Sequence, residues 1–90
     1  MKPTLELIVS GTVQGVGFRW ATKQVAEHLG INGSVENLPD GTVRVLAQGE
    51  HHQLDKFVDQ IRKAPSSAAE VTDLSLRFVK HEAFHQFTTI

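Results

Sequence analysis

Arg19 stands at the start of a helical apolar pattern, directly behind a short loop that holds Gly15 and Gly17. The run Ser10-Gly11-Thr12-Val13-Gln14-Gly15-Val16-Gly17-Phe18-Arg19 thus joins a strand pattern to a helix N-terminus. Exposed main-chain N–H groups, the positive end of a helix and a guanidinium meet at one place. All three attract an anion, and phosphate fits best. An arginine in the first helical turn opposes the helix dipole, a local conflict that a bound anion offsets. The same residues also read as a tight strand-to-helix turn with a surface arginine, since two glycines near a helix start are common.

These groups are positioned by elements whose periods are legible. Leu5, Leu7, Val9 and Val13 alternate with Glu6, Ser10 and Thr12, a half-buried strand with Ile8 on the outer face. From Phe18 the period changes: Phe18, Ala21, Thr22, Val25, Ala26 and Leu29 share one helical face, and Gly30 supplies a left-handed stop. Trp20 falls on the polar side. Val35 marks a second strand to about Leu38, and Leu38-Pro39-Asp40-Gly41 is a turn. Val43, Val45 and Ala47 form a third strand, with Arg44, Leu46 and Gln48 outward. Leu54, Phe57, Val58 and Ile61 make a second helical stripe, ended by Ala64-Pro65. Leu74, Leu76 and Phe78 alternate as a fourth strand, and a short segment around Phe84 and Phe87 is a candidate edge strand.

The order β-α-β-β-α-β predicts an α+β fold, a ferredoxin-like βαββαβ sandwich with two helices on one face of an antiparallel sheet. In that topology the Gly15 loop and the turn after Asn37 lie at the same end of the sheet. Asn37, Arg19 and the loop are therefore expected to converge, although 18 residues separate the two side chains.

Composition narrows the function classes. Ninety residues predict a single domain over 1–90, and 40% hydrophobic with 21% charged residues reads as globular. A net charge of −1 provides no global attraction for a polyanion. The absence of cysteine removes thiol chemistry and fits a cytoplasmic location. No run is long and apolar enough for a membrane helix.

Two blocks carry a family resemblance. Gly11-Thr12-Val13-Gln14-Gly15-Val16-Gly17-Phe18-Arg19 and Gly33-Ser34-Val35-Glu36-Asn37-Leu38-Pro39-Asp40-Gly41-Thr42-Val43, at their observed spacing, resemble the signature of the acylphosphatases. The likeness runs over about residues 5 to 80. It implies the fold just derived, and hydrolysis of a small-molecule acyl phosphate to carboxylate and phosphate with no metal or cofactor. It places the family's essential arginine on Arg19, its water-positioning asparagine on Asn37 and its phosphate cradle on Gln14, Gly15, Val16, Gly17, Phe18 and Arg19. Three positions depart from the usual pattern: Glu36 before Asn37, Thr89 after Phe87, and Trp20.

The chemistry suits these residues. A carboxylate whose acid has a pKa near ~4 leaves without protonation, so no general acid is needed. Phosphoryl transfer then rests on charge stabilisation and alignment.

Several other groups have plain readings. The five histidines read as surface residues rather than metal ligands. Trp20 is either half-exposed packing or a rim contact for an aromatic acyl group. The alternatives to hydrolysis are a phosphate-binding or carbamoyl-phosphate-handling accessory domain, as in hydrogenase-maturation carbamoyltransferases, and an RNA-binding module. The outward strand positions carry no aromatic, which disfavours nucleic acid. A monomer is expected.

Overall fold

In a computed structural model, which describes residues 2–90, the elements run β1 (Thr4–Thr12), α1 (Phe18–His28), β2 (Asn32–Asn37), β3 (Val43–Gln48), α2 (His51–Arg62), β4 (Glu70–Val79) and β5 (Phe87–Thr89). The sheet order is β4-β1-β3-β2-β5. β1 and β2 each pair antiparallel with β3, so both run the same way and end at the same side of the sheet. Val43 at the start of β3 faces Val9 of β1 and Asn37 of β2.

The inward alternation of β1 buries Leu5, Leu7 and Val9 against Val43, Val45 and Ala47 of β3. Phe18, Ala26, Leu54, Phe57 and Ile61 close that layer from the two helices. Burying an aromatic or branched side chain contributes about 1.5–3 kcal/mol, so the two helical stripes hold α1 and α2 on the sheet. Gly30 has φ 72°, as its role as helix stop requires, and α1 ends where the Ile31 amide donates to the Ala26 carbonyl at 2.8 Å. α2 begins earlier than its apolar stripe. Gln53 Oε1 accepts from the Glu50 amide at 2.9 Å, and Gln53 Nε2 donates to the Leu29 carbonyl at 3.0 Å, tying the two helices together.

The expected antiparallel sheet is corrected at one edge. β5 pairs parallel with β2, making the five-stranded sheet mixed. The chain leaves β4 at one edge and must cross to the other before it can pair again. Residues 80–86 make that crossing. Gln48 holds them, donating to the Glu82 carbonyl at 3.1 Å and accepting from the Phe84 amide at 2.8 Å. The edge strand therefore includes Phe87 but not Phe84.

Two further boundaries and burials differ. β2 starts at Asn32 and β4 at Glu70, where polar residues hide the period. Leu76 and Phe78 do lie on the inward face, opposite Leu7 and Leu5, yet they are 43% and 60% exposed. β4 is an edge strand, and the helix layer gives these two residues little cover. Leu46, by contrast, points outward from the middle of the sheet and is buried.

Candidate active site

The loop after β1 turns through two left-handed residues, Gly15 at φ 74° and Gly17 at φ 76°. Gly17 is the N-cap of α1 and supplies no side-chain acceptor; the first turn holds no acidic residue either. Among the described residues, the amides of Gly15, Val16, Gly17, Phe18, Arg19 and Trp20 find no protein acceptor. These are the unpaired donors that every helix start leaves, here extended by the loop before it. A residue with a Cβ pays for positive φ in strain, which explains glycine at both turning points.

A cavity of about 170 Å³ opens onto these donors, lined by Val13, Gly15, Gly17, Phe18, Arg19, Trp20 and Asn37. The predicted convergence of Arg19, Asn37 and the glycine loop is thus present in the geometry. Phe18 contributes backbone; its side chain is in the core. Gln14 and Val16 are not among the lining residues. The Gln14 side chain and the Val16 carbonyl have structural partners, and the Val16 amide stays among the free donors.

Gln14 Nε2 donates to the Leu38 carbonyl at 2.9 Å and the Thr42 carbonyl at 2.8 Å. The loop is thereby fastened to the β2–β3 hairpin that carries Asn37. Asp40 shapes the hairpin tip by accepting from Thr42 Oγ1 at 2.6 Å and the Thr42 amide at 3.0 Å. Those bonds, the hydroxyl's first, hold its carboxyl below the usual carboxylate range. Behind the loop, Ser66 Oγ donates to the Val16 carbonyl at 3.0 Å, turning the Val16 peptide to a fixed orientation.

Arg19 itself is steered from the far end of the chain. Its Nη1 donates to the main-chain oxygen of Ile90 at 2.7 Å, and the Ile90 amide donates to the Val35 carbonyl at 2.8 Å. Parallel pairing of β5 with β2 delivers Ile90 to this end of the sheet. The remaining guanidinium donors can serve a ligand. Sequence reasoning missed three positioning groups: the Gln14 side chain, Ser66 and the Ile90 oxygen. Only Gln14, a polar residue between two inward valine positions, left any trace in the pattern.

Two of the five histidines have aromatic packing partners. His81 stacks on Phe84 with ring centroids 4.2 Å apart, and His51 meets Phe78 edge-on at 5.8 Å. On the outer sheet face, Glu6 takes Arg77 Nε at 2.6 Å and Arg44 Nε at 3.3 Å. Ion pairs occupy the strand positions where an RNA-binding sheet would present aromatic rings.

The acylphosphatase family model matches residues 5–89. The chain belongs to the acylphosphatase family. An acylphosphatase from Lactobacillus johnsonii is 43% identical over 88 residues, covering 97% of each chain. One from Archaeoglobus fulgidus is 46% identical over 83 residues, covering 92% of each. The crystal structure of the Bacillus subtilis acylphosphatase superposes with a TM-score of 0.93 at 35% identity, covering 98% of each chain. Matches spanning nearly the whole of these relatives favour neither the accessory-domain nor the RNA-binding alternative. Among the described residues no helix is long and apolar enough to cross a membrane.

Proposed function

We propose that the loop amides from Gly15 to Trp20 and the Arg19 guanidinium hold the phosphoryl oxygens, while Asn37 aligns the attacking water. The reaction is that of the family, hydrolysis of an acyl phosphate to carboxylate and inorganic phosphate. The observation that supports these roles is the single cavity onto which unpaired N–H groups, Arg19 and Asn37 all open. Water oxygen attacks phosphorus as the phosphorus–oxygen bond to the acyl group breaks. The carboxylate departs with the electron pair, and a phosphoryl oxygen takes the water's proton. Negative charge on the transferring group is met by fixed donors that need no reorganisation, the effect that contributes most in such sites.

The same reading covers the setting. The cavity lining needs no residue beyond 13–20 and 37, so one copy suffices for a single-domain monomer acting on small molecules. The ion pairs of Glu6 on the outer sheet face argue against nucleic acid. The cysteine-free sequence suits a reducing compartment such as the cytoplasm.

Arg19→Gln and Asn37→Ala separate the roles. Each is expected to lower kcat on benzoyl phosphate by about 10²–10³ with an unchanged circular dichroism spectrum. Inorganic phosphate should inhibit the Asn37 variant about as well as the parent and the Arg19 variant far less. Full activity in either variant overturns its role.

A further inference from the structure

A second groove, of about 290 Å³, adjoins the phosphate cavity and is lined by Arg19, Trp20, Lys23, Gln24 and Thr89. Arg19 and Trp20 line both spaces. We propose that this groove is the acyl subsite and that it selects acyl phosphates bearing a second anionic group, the monoacyl phosphates of dicarboxylic acids. The proposal rests on the phosphate-binding role assigned above to the smaller cavity.

Three observations carry it. The first is continuity. A phosphoryl group occupying the smaller cavity leaves its acyl part to extend outward past Arg19 and Trp20, which form the shared wall. The second is charge. Lys23 is half-buried in the groove and has no carboxylate within ion-pair distance among the described residues. The first turn of α1 is likewise without an acid. The groove thus offers a cation with no direct ion-pair partner among the described residues. The third is spacing. Arg19 and Lys23 stand one helical turn apart, about 6 Å along the axis at 1.5 Å per residue. That matches the separation between a phosphoryl group and the distal carboxylate of a short dicarboxylic chain. Trp20, 68% exposed, adds a flat apolar wall for the carbon skeleton between the two charges.

The test compares two substrates that differ only by the second carboxylate, 3-carboxybenzoyl phosphate and benzoyl phosphate. The carboxylate is fixed on a rigid ring and cannot cyclise onto the acyl carbon. In the parent chain the kcat/KM ratio of carboxylated to plain substrate should exceed one and fall as ionic strength rises. Lys23→Met should lower the ratio about fivefold, the upper range for an exposed ion pair. Lys23→Glu should take it below one. A ratio that is the same in all three proteins overturns the subsite while leaving acyl phosphate hydrolysis standing. Failure of the parent to turn over either substrate overturns both.

Discussion

Gln14 does its work away from the ligand. Its amide nitrogen fastens two hairpin carbonyls, tying the glycine loop to the hairpin that carries Asn37. Gln14→Ala removes two hydrogen bonds, but both carbonyls keep backbone donors from the hairpin itself. The expected cost is about 1 kcal/mol, a drop of roughly 4–8 °C in Tm for a domain of this size. A larger proportional loss should appear in kcat, because alignment of the water depends on the same clamp; calorimetry beside steady-state kinetics checks both. Asp40 governs the hairpin tip through protonation. Its folded-state pKa lies below the unfolded one because Thr42 bonds the ionised form. Its contribution is therefore present above the ordinary aspartate pKa of about 3.9 and lost as pH falls through the lowered folded value. Asp40→Asn should thus unfold at lower denaturant than the parent at neutral pH. The gap should close under acid conditions, and a constant gap would contradict the assignment.

At the level of elements, legibility followed period. β1 and α1 repeat their apolar residues cleanly and lie where their patterns put them; α2 contains its stripe but starts ahead of it, at His51. The turn at Leu38-Pro39-Asp40-Gly41 was equally plain, since proline and glycine restrict what the backbone can do there. Convergence of Arg19 and Asn37 followed from topology alone. The parallel placement of β5 did not, because three residues, Phe87 to Thr89, carry no period and their partner is chosen by a crossing chain held through Gln48. The Ile90 oxygen on Arg19 was hidden for the same reason: a main-chain group leaves no mark in a side-chain pattern. Ser66, 50 residues from Val16, was likewise beyond any local signal.

Across the whole molecule, the sheet has one protected edge and one open one. β5 is short, whereas β4 presents ten residues at the opposite edge, with Leu76 and Phe78 uncovered on its inner face. Arg77 and the irregular register at Ser10/Gly11 are features of the kind that discourage edge-to-edge pairing. Leu76→Lys should slow aggregation during refolding at high protein concentration and leave stability within about 0.5 kcal/mol. Light scattering and denaturant titration measure the two effects. Trp20, finally, is the chain's one tryptophan, and there is no tyrosine. Its ring stands in solvent at the cavity mouth rather than in the core. Intrinsic emission from this chain is consequently a gauge of what occupies that mouth. Melting merely moves an already wet indole into more water, so thermal denaturation is better followed by ellipticity than by fluorescence.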